Sequence, residues 1–143
     1  EISAIPPVIA SALELPRLRI HNRPWTLLTP GRITVARGYN IFWPGAPQEA
    51  QTVPALAHLV HEIVHVWQYK ALGVGLYSPR WLNRRYGYDL QESDTFRSFG
   101  LEQQASIVED YYRVRHGYPH RHARNFPTQN IYAALMKTIP AEE

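Results

Sequence analysis

Along this chain the spacing of apolar and polar positions changes character several times, and each change predicts an element. Between residues 17 and 43 the apolar residues come in short runs rich in branched and aromatic side chains, "RLRIHNRPW", "RITVA" and "YNIFW", bounded by Pro and Gly. Such runs predict β structure, with Arg37-Gly38 as the turn of a hairpin joining the last two. From Pro54 to about residue 72 the apolar pattern is nearly continuous and predicts a buried helix. Pro54 suits the first helical position, where its missing N–H costs nothing, and Gly73 stops the helix. Residues 73–98, "GVGLYSPRWLNRRYGYDLQESDTFRS", carry no clean period. Irregular segments of that length in compact domains are usually functional or disordered. A second helix is predicted over about 100–115, with Leu101, Ala105, Val108 and Tyr112 as its apolar stripe, Glu102, Ser106 and Glu109 as an adjacent polar stripe, and Gly117 as the stop. A last short helix over 129–138 takes Thr128 as its cap and turns Ile131, Ala134 and Leu135 inward. The plan is α+β: a small antiparallel sheet followed by helices.

The first long helix contains "LVHEIVHVWQY", residues 59–69, in which three titratable groups interrupt an apolar run. Burying two imidazoles and a carboxylate unpaired would cost several kcal/mol. A metal ion removes that cost. His61 and His65 are four apart, so both rings project from one helix face with about 6 Å between Cβ atoms and can reach one ion. A catalytic zinc takes three protein ligands and leaves a fourth position open. Glu62 lies beside the pair and points to its side, where it can accept a proton from water without ligating. His58 shares the face but fits no ligand pattern and reads as support or packing. A third histidine six residues after His65 is excluded, because Gln68 and Ala71 occupy the positions that pattern requires. A carboxylate from a later helix remains. Glu102 is the first choice, since it opens the second helix and Ala105 leaves room for the two helices to approach. Glu109 is the rival, about 10 Å further along by helical rise, so both cannot bind one ion.

Composition narrows the chemistry. With 143 residues and 45% hydrophobic content, the chain is expected to form one domain over residues 1–143. It has no cysteine, which leaves His, Asp and Glu as the strong metal ligands. No apolar stretch reaches the roughly 18 residues needed to span a bilayer, so no membrane partner is expected. The net charge of +3 is mild. Only "RVRHGYPHRHAR", residues 113–124, is dense in cations, with four Arg and three His in twelve positions. It could face nucleic acid, although a solvated helix end is the simpler reading. The sequence begins at Glu1 and its only methionine is Met136, which suggests processing or excision from a longer chain.

His61-Glu62-x-x-His65 with a downstream Glu-x-x-Ala resembles the zincin metallopeptidases whose third ligand is glutamate, the gluzincins. Together "HNRPW", "HEIVHVWQY", "YGYDL" and "FGLEQQASIVEDYY", across roughly residues 17–116, look like small bacterial proteins described as Vgr-related or Rhs-linked, which accompany type VI secretion machinery. The resemblance implies a zincin-like hydrolase with Zn2+ held by His61, His65 and Glu102, and with Glu62 as general base. It further implies a peptide or protein substrate, a secretion-system carrier, an immunity protein, and export from the bacterial cytoplasm into a target cell or periplasm as an effector or toxin. One departure stands out: some gluzincins carry an Asp four residues after the ligand Glu, hydrogen-bonded to a ligand histidine, where this chain has Ser106. The resemblance does not place the donor for the oxyanion. Tyr88, Tyr112 and His116 are the candidates, Tyr88 because its loop could cover the cleft, and Trp81, Arg84 and Arg85 of that loop are candidates for shaping substrate preference. Two readings compete with a peptidase: a metal-binding adaptor of a secretion system, and a nucleic-acid binder with a structural metal.

Overall fold

The computed structural model describes residues 5–46, 52–75 and 78–141, so Leu76 and Tyr77 of the irregular stretch lie outside the described residues. Its centre is a pair of helices. Helix α2 (Val53–Ala71) starts at Thr52, whose hydroxyl accepts from the Ala55 N–H at 3.3 Å, and Pro54 occupies its second position, one later than expected. Every residue from Val60 to Gln68 is buried. Helix α3 (Leu101–Arg115) packs along it, with Ala57 and Ala105 both fully buried. Small residues allow the backbones of two helices to come close, and polar side chains then reach across. Each helix ends at a glycine with positive φ, Gly73 at 60° and Gly117 at 74°, a conformation that costs glycine little.

A short helix α1 (Pro7–Ala12) precedes the sheet and packs on α2 through fully buried Ile9. Strands β1 (Arg19–His21), β2 (Val35–Arg37) and β3 (Asn40–Phe42) form a three-stranded sheet in the order β1-β3-β2. The expected hairpin is present as β2–β3, with Arg37 paired to Asn40 and the turn itself made by Gly38 and Tyr39. Gly38 has φ 58°. The sheet is not antiparallel throughout: β1 runs parallel to β3, with Ile20 opposite Ile41. Parallel neighbours need a long connection, and residues 22–34 supply it by carrying the chain to the far side of β3. β2 is therefore an edge strand lying against α2.

Helix α4 (Gln129–Met136) closes the core over α3, capped by Thr128 as expected. Its buried face differs from the expected one. Tyr132, Leu135 and Met136 turn inward, whereas Ala134 is exposed and Ile131 only half-buried. The reason is Tyr132, whose hydroxyl meets that of Tyr88 at 2.6 Å and rotates the helix toward that bond. No helix among the described residues is long and apolar enough to cross a membrane.

Candidate metal centre and its cleft

Helical spacing places His61 and His65 one turn apart on α2, with ring centroids 4.9 Å apart, facing the first turn of α3. Glu102 meets both. Its Oε2 lies 3.3 Å from Nε2 of His61 and 3.1 Å from Nε2 of His65. The other nitrogen of each ring is occupied. His61 Nδ1 lies 3.0 Å from Oε2 of Glu109, and His65 Nδ1 lies 2.8 Å from Oε1 of Gln68. A carboxylate and an amide oxygen can only accept, so both Nδ1 atoms donate. In the neutral tautomer each Nε2 then presents a lone pair to Glu102, and three acceptors converge on one point. That donor set, two imidazole nitrogens and one carboxylate within 4.8 Å of one another, fits a divalent cation.

Without a cation, protons must fill the same space. Burial alone would lower the His61 pKa, but hydrogen bonds with Glu102 and Glu109 outweigh it and raise the value to about 9. Burial likewise opposes ionisation of Glu102, yet its hydrogen bonds with His61 and His65 hold the carboxyl well below the usual range. Glu109 behaves in the same way through His122 and His61.

A second group, His61, Glu109 and His122, also has the residue types of a metal site. Its chemistry argues otherwise. Glu109 Oε1 accepts from Arg121 Nη1 at 3.1 Å, so a cation added there would face a guanidinium. Glu109 Oε2 takes both His61 Nδ1 and His122 Nε2 at 3.0 Å. This is a hydrogen-bonded support for His61 of the kind that metal-ligating histidines usually have. Glu109 thus supplies the orienting carboxylate that position 106 lacks, one turn further along. Ser106 itself is buried with no hydrogen-bond partner among the described residues.

The cluster opens into a cleft of about 650 Å³ whose walls are α2, the first turn of α3, the β2 edge and the segments around residues 81–86 and 121–122. Glu62 lines it beside the histidines, 3.9 Å from Nε2 of His58. His58 is held by the Thr34 hydroxyl at 2.9 Å and does not join the ligand group, consistent with a supporting role. Trp81 packs edge-on against His65, and Arg84 also lines the cleft while Arg85 does not.

The three oxyanion candidates do not reach this cleft. Tyr88 is fully buried, its hydroxyl 2.9 Å from Asp110 and 2.6 Å from Tyr132, so its proton is committed to the core. Tyr112 and His116 pair with each other at the far end of α3, where His116 Nδ1 lies 2.8 Å from the Tyr112 carbonyl. Tyr86 and His122 do line the cleft, and the Tyr86 ring stacks near His61 and His122 at 6.0 and 5.9 Å. Burial, then the charge of Glu102, push the Tyr86 pKa up, so its hydroxyl keeps its proton at neutral pH. Sequence reasoning missed Tyr86 because an irregular segment has no period to tell which of two neighbouring tyrosines faces in.

It missed Asp110 as well. Asp110 is fully buried and accepts the backbone N–H groups of Arg121, His122 and Ala123 at 2.6, 3.0 and 2.9 Å, besides the Tyr88 hydroxyl. The cation-dense segment is thereby folded back on α3. Within it Arg113 donates to the Pro119 carbonyl, Arg121 to Glu109 and Arg124 to Asp89.

No family model matches the chain. Over 88 residues, 57% of its length, it is 32% identical to the type VI secretion system spike protein VgrG2b of Pseudomonas aeruginosa, of which the match spans 8%. The fold is similar to the solved effector domain of Pseudomonas aeruginosa VgrG2b, with a TM-score of 0.59 and 23% identity over 78% of this chain and 69% of that one. An arrangement built here from two facing helices and a short mixed sheet is thus shared, as a fold, with an effector domain carried by a secretion spike.

Proposed function

We propose that this chain is a zinc-dependent peptidase domain delivered by a type VI secretion system. The observation that carries the peptidase reading is the convergence of His61, His65 and Glu102 on one point, with Glu62 lining the same cleft. When bound, zinc would supply a Lewis acid for the scissile carbonyl and an acidified water. Glu62 takes the proton of the attacking water and passes it to the leaving amine, which general acid–base catalysis requires of a group within hydrogen-bond reach of both. Tyr86, protonated and without a hydrogen-bond partner among the described residues, donates to the oxygen that gains charge. The outer edge of β2 lines the cleft and holds the substrate backbone in extended form by strand addition.

Similarity to VgrG2b supports delivery: the matched spike protein belongs to a type VI secretion system, and its effector domain shares the fold. A carrier within that machinery and an immunity protein follow from this reading. An adaptor without catalysis would have no use for a carboxylate beside the ligand pair, and a structural zinc usually closes all four positions with protein ligands.

Glu62→Gln separates these ideas. It is expected to keep one zinc per chain by elemental analysis while peptide cleavage falls at least about 100-fold, the usual weight of a general base. Undiminished cleavage, or undiminished toxicity in a target cell, would remove Glu62 from the mechanism.

A further inference from the structure

We infer that Gln68 and Gln104, neither of which belongs to the ligand set, are positioning residues that set the tautomer of His65 and present its Nε2 to the metal position. The direction of each hydrogen bond in the chain of amides fixes the next. Gln104 is buried, and its amide nitrogen lies 3.2 Å from the Phe96 carbonyl and 2.9 Å from the Phe99 carbonyl. Both partners can only accept, so the NH2 end faces them and the oxygen faces the other way. That oxygen takes the amide N–H of Gln68 at 2.9 Å. Gln68, fully buried, gives its second N–H to the Leu101 carbonyl at 2.9 Å, so its own orientation is fixed by two acceptors. Its oxygen is left facing Nδ1 of His65 at 2.8 Å, which must therefore carry the proton. His65 Nε2 is then the lone-pair nitrogen, and it is the one facing Glu102.

Three backbone carbonyls, those of Phe96, Phe99 and Leu101, thus fix the polarity of two amides and one imidazole. None of the amides titrates, so the relay holds its direction at any pH at which the protein is folded. The Phe96 and Phe99 carbonyls lie in the segment that leads into α3, and Leu101, which opens α3, is followed at once by Glu102. One stretch of backbone therefore orients a ligand on α2 and carries the ligand on α3. The two histidines are oriented by different means: His61 by the charged Glu109 and His65 by neutral amides.

The tautomer half of this inference stands without a metal, and the affinity half rests on the zinc reading above. Long-range 15N–1H correlation spectra of metal-free protein labelled at histidine test the first half, at a pH where the ring is neutral. His65 is expected with its proton on Nδ1, and finding it on Nε2 in the wild type would overturn the proposal without any variant. Gln104→Met keeps the buried volume but removes both the donors and the acceptor. It is expected to give His65 a mixture of tautomers, to leave the His61 signals in place, and to weaken zinc binding about tenfold in chelator competition. Unchanged tautomer and affinity in this variant, or equal disturbance of both histidines, would each overturn the inference. If the wild type binds no zinc, the peptidase reading fails while the spectra still decide the relay.

Discussion

Glu102 and Glu109 stand seven residues apart on one helix and meet opposite nitrogens of the same imidazole, 3.3 Å and 3.0 Å away. The difference in their roles follows from what else each touches. Glu102 also meets His65, whereas Glu109 also meets His122 and Arg121. Glu102→Ala removes a ligand and is expected to abolish stoichiometric zinc. Glu109→Gln leaves the ligand set whole but weakens the hold on the His61 tautomer, and should raise the zinc dissociation constant about 10- to 100-fold in chelator competition. The reverse order would exchange their roles. A pH dependence follows from the same contacts. His61, raised from 6.5 to about 9, stabilises the metal-free fold fully below pH 6.5, and that contribution is lost as the pH rises through about 9. Glu102 and Glu109, held below the ordinary carboxyl value of 4.5, contribute stability above that value and lose it as the pH falls. Metal-free protein is therefore expected to melt progressively earlier between about pH 6.5 and 9, and saturating zinc should remove that alkaline decline. At this scale His61 and His65 were legible because helical spacing alone puts them on one face, and Glu62 because it adjoins them. Gln68 and Gln104 were not, because an uncharged amide shows its purpose only through the direction of its partners.

Among the elements, the loop after α3 depends most on a single residue. Adjacent acids divide the work: Asp110 binds the backbone of residues 121–123, and Glu109 binds the side chains of Arg121 and His122. Asp110→Asn replaces one accepting oxygen by a donor that faces backbone N–H groups. It is expected to cost on the order of 2–3 kcal/mol in thermal or denaturant unfolding and to speed amide exchange at 121–123, with exchange in α2 little changed. Uniform acceleration across the molecule would contradict a local anchor. The helices were readable from period and caps: the predicted stripe of Leu101, Ala105, Val108 and Tyr112 is buried throughout. α1 and the parallel pairing of β1 with β3 were not readable. Six residues give too little period to mark a helix, and strand direction depends on where residues 22–34 cross, which no local pattern encodes. The inward face of α4 was misjudged because an apolar count ignores the hydroxyl bond that turns Tyr132 into the core.

For the whole molecule, ligands on two helices mean that the site exists only in the folded chain. Any ion that binds there stabilises the fold by mass action, about 2.7 kcal/mol at a free concentration 100 times its dissociation constant. For a domain of this size that corresponds to a rise in Tm on the order of 5–10 °C. Thermal denaturation with and without zinc should show this rise in the wild type and lose it in Glu102→Ala. A rise retained in that variant would place the ion elsewhere.

The edge strand that borders the cleft has a consequence for the choice of target. β2, paired on one side with β3, turns the outer edge of its main chain toward the cleft beside Glu62 and the ligand cluster. Main chain is common to every protein, so such a wall selects by conformation before it selects by side chain: a segment must be able to lie straight and unpaired. A globular target whose chain is already committed to its own helices and sheets would be spared, and the same target would become vulnerable while nascent, in transit or stripped of its partner. Vulnerability would then be set by the folding state of the victim, and comparing cleavage of one protein in its native and denatured forms would measure it.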